Sequence, residues 1–251
     1  IENAMKAGPI NPRPGVFNWA PADAFVEFGE KNGMFIVGHT LVWHNQTPAW
    51  FFQDANGQPN TPEAQIERLR SHIEAVAGRY AGRIHAWDVV NEVIDNDGSY
   101  RPTTWVNSVG SGDELVKAAF RFAAQYAPGA ELYYNDFNAW RPAKRDGIVR
   151  MVRMLQREGI RIDGIGIQGH WGLNYPSTEH IEAANLYQEL GLAAFRRADN
   201  RQAIAWAERA LSLGRDLGLP DVESDAATTL ARLQDADYVF AGPGSPATPA
   251  L

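Results

Sequence analysis

The chain of 251 residues carries 30 acidic against 23 basic side chains, a formal charge of −7, which argues against a nucleic-acid or anionic-membrane surface. Hydrophobic residues at 45% and charged residues at 21% exclude the disordered, collagen-like and coiled-coil classes. No apolar run approaches the roughly 18 to 20 residues that cross a bilayer. Nothing at the start reads as a basic segment leading into an apolar signal core, and the opening at Ile1 rather than Met leaves room for a preceding leader. The absence of Cys removes disulfides, thiolate metal sites and a cysteine nucleophile together. Eight Trp, eight Tyr and eleven Phe supply flat apolar rings suited to neutral polar ligands such as sugars, although core packing accounts for most such rings.

From Ile1 to Trp171 short β-branched runs alternate with longer amphipathic stretches, the pattern of repeated βα units around a parallel sheet. Met34 to Gly38, Ile84 to Val90, Glu131 to Tyr134 and Ile162 to Ile167 read as buried strands, each followed by polar residues where a loop should begin. Thr61-Pro62 is a cap followed by proline at the first helical position, after which Ile66, Leu69, Ile73, Val76 and Tyr80 recur at spacings of 3, 4, 3 and 4, predicting a helix with one wet face. Leu115, Ala119, Phe120, Ala123 and Tyr126 make a second such stripe. Ile148, Val149, Val152 and Leu155 make a third, stopped by Gly159. Past Trp171 the β-branched runs cease, and the composition predicts helices at 178 to 197, 201 to 216 and 222 to 234. Residues 237 to 251 read as a flexible tail, Pro- and Gly-rich from Gly242 onward.

Chemistry gathers where the strands end. The strand Ile84 to Val90 runs into Asn91-Glu92, placing a carboxyl at the carboxyl end of a parallel strand, the rim that carries active sites in βα barrels. A Glu there can serve as a general acid when burial or a neighbouring charge raises its pKa, although a Glu after a strand is more often a solvated or ion-paired group. Its company shifts the balance. Gly38 to Gln46 packs His39, Trp43, His44, Asn45 and Gln46 after another strand, Tyr134-Asn135-Asp136 follows a third, and Gln168-Gly169-His170-Trp171 a fourth. Such density suits a polyhydroxyl ligand. His39, His44 and His170 can be read as metal ligands, but their spacing matches no standard zinc motif, and the reading preferred is no metal and no cofactor.

The segments Glu2-Asn3-Ala4-Met5-Lys6, Gly38 to His44, Trp87 to Glu92, Tyr134-Asn135-Asp136 and Gly166 to Trp171 resemble the successive strand-end motifs of glycoside hydrolase family 10, the endo-1,4-β-xylanases. The resemblance implies an α/β chain that is an incomplete (β/α)8 TIM barrel, strands 2 to 6, over residues 1 to 184. It also implies xylan or xylo-oligosaccharides as partner, retention of configuration by two glutamates, and an extracellular location. Position by position, Glu92 is similar to the family's acid/base and Asn91 to the neighbour that contacts the sugar. Glu2, Asn3, Lys6, His39, Trp43 and Gln46 are similar to residues lining the glycone side, Asn135 to a residue near the acid/base, and Gln168 and His170 to residues holding the second glutamate or its sugar. The family's second glutamate, in a motif like Ile-Thr-Glu-Leu-Asp on the seventh strand, has no counterpart in this sequence; an ungapped count lands near Asp199, in what looks like a helix end.

Residues 185 to 236 have a resemblance of their own. Tyr187, Leu190, Gly191 and Ala194, followed by Ala203, Ala207 and Ala210, are similar to one tetratricopeptide repeat of roughly 34 residues, a unit usually stacked in threes or more. A change of pattern within one helix points to a recombined, designed or mis-assembled sequence. Five strands alone do not close a barrel, so a complementary chain or another protein partner is a second expectation, beside a non-catalytic xylan-binding role.

Overall fold

The computed structural model describes residues 3–170 and, by itself, Arg215. The chain divides into two compact units, residues 1–194 and 195–251. The expected helices at 178 to 197 and 222 to 234, the tetratricopeptide-like segment and the tail lie outside the described residues; within 201 to 216, Arg215 is helical.

Among the described residues the first unit holds four parallel strands, β1 (Val37–Val42), β2 (Ala86–Asn91), β3 (Glu131–Phe137) and β4 (Gly164–Gln168), hydrogen-bonded in the order β1-β2-β3-β4. Helices α1 (Ala7–Ile10) and α2 (Ala20–Lys31) precede β1. A 3-10 turn (Ala49–Phe52) and α3 (Pro62–Arg79) link β1 to β2, α4 (Thr104–Val109) and α5 (Gly112–Tyr126) link β2 to β3, and α6 (Pro142–Arg157) links β3 to β4. Each of β2, β3 and β4 is therefore reached through a helical crossover, as a parallel sheet requires.

The expected strands are present with shifted ends. The apolar run at Met34 and Phe35 lies outside the sheet, 48% and 60% exposed, because pairing with β2 begins only at Val37 opposite Ala86. Over residues 3 to 6, part of the first strand-end motif of the resemblance, the chain turns, with the Lys6 N–H bonded to the Asn3 carbonyl at 3.1 Å. Four strands, matching the third to sixth of the resemblance, stand among the described residues.

The core lies between the sheet and its helices. All six residues of β2 are buried. Leu69, Ile73 and Val76 of α3, Leu115, Ala119 and Phe120 of α5, and Ile148, Val152 and Leu155 of α6 are buried completely, each large aliphatic contributing roughly 1.5 to 3 kcal/mol. The Thr61 hydroxyl accepts from Ala64 N–H at 3.3 Å at the start of α3, and Gly159, at φ +65°, follows the end of α6 in a conformation that disfavours other residues. Two irregularities matter for the site. The β1/β2 register slips between His39 and Val42, and the β2/β3 register between Asp88 and Val90, so that the strand ends re-aim their side chains at the rim.

Candidate active site

Glu92 follows the last residue of β2 in a left-handed backbone conformation, φ +61°, and is 9% exposed. Both carboxylate oxygens are engaged. Oε2 accepts from the Trp43 indole Nε1–H at 2.9 Å, and Oε1 accepts from Asn91 Nδ2 at 3.0 Å and from Gln168 Nε2 at 3.0 Å. These donors come from the ends of β1, β2 and β4, and β3 completes the set: Asn135 Nδ2 donates to Asn91 Oδ1 at 2.8 Å, an oxygen that also accepts from Gln168 Nε2 at 3.2 Å. Gln168 Oε1 lies 3.0 Å from His170 Nε2, which places the proton on that nitrogen. A run of neutral donors thus holds one carboxyl with little freedom to turn.

The other side of the cluster is set by His39, whose Nδ1 lies 2.8 Å from Asp88 Oδ2. A buried carboxylate on Nδ1 fixes the tautomer and leaves Nε2 as an acceptor for a ligand hydroxyl. Thr40 donates its hydroxyl to the Asp88 carbonyl at 2.8 Å. Trp43 sits between these groups, 6.3 Å from the His39 ring and 5.8 Å from the His44 ring, and its carbonyl accepts from Trp105 Nε1 at 3.2 Å. The Lys6 ammonium lies 4.4 Å over the Trp43 ring and donates to Asn3 Oδ1 at 2.9 Å. Burial, helped by the Arg101 guanidinium and opposed by the Glu92 and Asp95 carboxylates, holds His44 below the ordinary imidazole range.

Of the residues singled out in the sequence, Glu92, Asn91, Trp43, Gln168, His170 and Asn135 form one connected network, while His39, Lys6 and Asn3 stand beside it through Trp43. Gln46 is exposed, at φ +55°, and its carbonyl accepts from Gly8 N–H at 2.7 Å, outside the group. Glu2 lies outside the described residues. Among the described residues no group of three His, Asp or Glu could hold a metal ion. Sequence reasoning missed Asp88, Trp105 and the pair Asp136–Lys144. The available signal for Asp88 was a carboxylate inside an otherwise apolar strand, where a charge persists only with a partner.

A parallel α/β sheet whose strand ends converge on one clamped carboxyl, flanked by indole, imidazole and amide groups, has the layout of the catalytic rim of a βα barrel. The model of glycosyl hydrolase family 10 matches residues 1–194, and the chain belongs to that family. Endo-1,4-beta-xylanase A of Xylanibacter ruminicola is 45% identical over 181 residues, 72% of this chain and 48% of that protein. Endo-1,4-beta-xylanase B of Paenibacillus barcinonensis is 43% identical over 212 residues, 80% of this chain and 63% of its relative. The chain therefore spans between about half and two thirds of these curated relatives. Among solved structures, xylanase XynB from Paenibacillus barcinonensis complexed with a conduramine derivative superposes with a TM-score of 0.73 at 36% identity, covering 86% of this chain and 72% of that one. A GH10 endoxylanase retrieved from sugarcane soil metagenome gives 0.73 at 41% identity, covering 76% and 56%.

Proposed function

We propose that the chain binds β-1,4-linked xylose units at this rim, outside the cell, with Glu92 in the position of an acid/base and His39, Trp43, Asn91, Gln168 and His170 gripping the sugar. Asn3, Lys6, Gln46 and Asn135 complete the lining. The observation that carries the reading is the three-sided hold on Glu92 by Trp43, Asn91 and Gln168, which fixes one carboxyl at the rim where the strands end. Support also comes from the xylanases among the relatives.

Cleavage by double displacement takes a second carboxyl about 5 to 5.5 Å away, which attacks the anomeric carbon while the first protonates the leaving oxygen. The sequence holds no counterpart of the family's second glutamate motif, and among the described residues the hydrogen-bond partners of the Glu92 carboxylate are all neutral. The reading is therefore retained recognition with lost turnover, since removing one member of a catalytic set costs several orders of magnitude. Two measurements test it. Titration calorimetry with xylotriose should show binding, and an aryl β-xylobioside should show no hydrolysis above background. Hydrolysis at a family-like rate that Glu92→Gln abolishes would prove that another carboxylate does the second job, and absence of xylotriose binding would remove the recognition role.

A further inference from the structure

We infer that Tyr134, Asp136 and Lys144 form a positioning unit for Glu92, in which a buried ion pair fixes the direction of one phenolic proton and thereby the backbone that carries the carboxyl. The inference rests on the reading of Glu92 as the acid/base. None of the three residues touches the Glu92 carboxylate.

The chain of contacts begins on α6. Lys144 Nζ lies 2.7 Å from Asp136 Oδ1, with both side chains wholly buried, and 3.9 Å from the centroid of the Phe137 ring. The second oxygen of Asp136 accepts the hydroxyl proton of Tyr134. That hydroxyl oxygen in turn accepts the backbone N–H of Ile94 at 3.1 Å, two residues past Glu92. The Glu92 backbone is tied on its other sides as well: its N–H donates to the Asn135 carbonyl at 2.9 Å and its carbonyl accepts from Arg101 Nε at 3.1 Å. A non-glycine residue in the left-handed region persists only where its surroundings over-determine it, and the Tyr134 hydroxyl is one of those constraints.

The ion pair supplies what a lone hydroxyl lacks. An ionised carboxylate only accepts hydrogen bonds, so the Tyr134 proton must point at Asp136 and a lone pair is left facing Ile94. A protonated Asp136 could donate instead, turning the phenolic proton toward the Ile94 N–H. Burial pushes Asp136 up to about 6, and the Glu92 carboxylate pushes in the same direction; Lys144, helped by the Tyr134 hydroxyl, is the cation that opposes them. Burial also depresses Lys144, against the attraction of Asp136 and Glu92 and with the repulsion of Arg101. A buried pair of this kind is a poor source of stability. Its effect lies in orientation.

The Trp43 indole reports on the outcome, because its Nε1–H donates to Glu92 Oε2 and its resonance follows any movement of that oxygen. In the full chain, Tyr134→Phe removes only the hydroxyl. The expected result is a displaced Trp43 indole N–H resonance and roughly fivefold faster exchange of that proton with water, as loss of one hydrogen bond gives, while the indole of Trp19, packed against Tyr80 and Arg79, stays unmoved. The double variant Asp136→Leu/Lys144→Met replaces both charges by apolar groups without stranding either, and should displace the same resonance. It carries the test should Tyr134→Phe fail to fold. Folded variants with an unmoved Trp43 resonance would overturn the inference and leave the three residues as packing alone. Xylotriose binding by the parent chain is measured separately: a moved resonance with no sugar binding upholds the positioning unit and removes the proposed function instead.

Discussion

His39 and Asp88 face each other across neighbouring strands, with Nδ1 2.8 Å from a carboxylate oxygen of a residue only 1% exposed. The geometry commits the Nδ1 proton to Asp88 and leaves Nε2 as the free ring acceptor. Asp88→Asn replaces a charged acceptor by a neutral one that can also donate, and releases the choice of tautomer. Charge-assisted hydrogen bonds are about twice as strong as neutral ones. Xylotriose affinity should therefore drop about tenfold in calorimetry, with the fold intact by circular dichroism. An unchanged affinity would mean that His39 does not touch the sugar.

Glu92→Gln should not be structurally silent. The carboxylate accepts three donors, whereas an amide offers one oxygen and an NH2 group that must face either the Trp43 indole N–H or the Asn91 and Gln168 amides. One donor-to-donor clash in a buried cluster costs about 1 to 3 kcal/mol. Thermal unfolding should show a lower midpoint for this variant; an equal midpoint would mean that the donors turn away without penalty.

Two glycines separate packing at the site from strain elsewhere. A Cβ on Gly166 would lie 2.4 Å from Asn135 Oδ1, so Gly166→Ala must push Asn135 off Asn91 and loosen the hold on Glu92. At Gly159 a Cβ meets open space, and the only penalty is the φ of +65°, about 1 to 2 kcal/mol for a non-glycine residue. Both variants should lose stability in urea titrations, but only Gly166→Ala should weaken xylotriose binding.

His72 makes stability depend on acid. The ring is 3% exposed, edge-on to Phe51 at 5.1 Å, and apart from an approach to the Leu41 backbone its nitrogens have no partner among the described residues. Burial lowers its pKa from 6.5 to about 4. Between those values the unfolded chain binds a proton that the folded chain refuses, so the contribution is whole above 6.5 and lost as pH falls toward 4, about 3 kcal/mol in all. Asp136 works the other way: its carboxyl is harder to ionise folded than unfolded, so protonation through about pH 6 returns some stability. His72→Gln should flatten the fall in melting temperature between pH 6.5 and 4 relative to the parent, and a parallel fall in both would exclude His72 as its source.

Periodicity found the interior of the sheet but not its limits. Met34 and Phe35 have the composition of a strand, yet the pairing partner across the sheet starts opposite Val37, and partner length is a tertiary quantity. Helix α2 was not read at all, because Pro21 and Gly29 break up its apolar pattern. The clustering of Trp43, Asn91, Asn135 and Gln168 was legible as polar residues after strands, since parallel strands bring their carboxyl ends to one edge. Which groups bond to which was not: the His39–Asp88 contact is set by the pairing of β1 with β2, and the Tyr134–Ile94 contact joins β3 to the segment after β2, relationships that no single strand encodes. Asp136 was visible as one of three polar letters, but its cation lies eight residues on, at Lys144, within a helix whose sequence reads as ordinary.

Asn91 and Glu92 are adjacent in sequence and yet joined side chain to side chain, because the left-handed turn at Glu92 cancels the alternation of the strand. The consequence bears on redesign. A residue inserted between Asn91 and Glu92 would part the amide from the acid, whatever residue were chosen. New specificity in this scaffold has to be grafted from Asp95 onward, where the segment to Ser99 can change length without carrying the carboxyl with it.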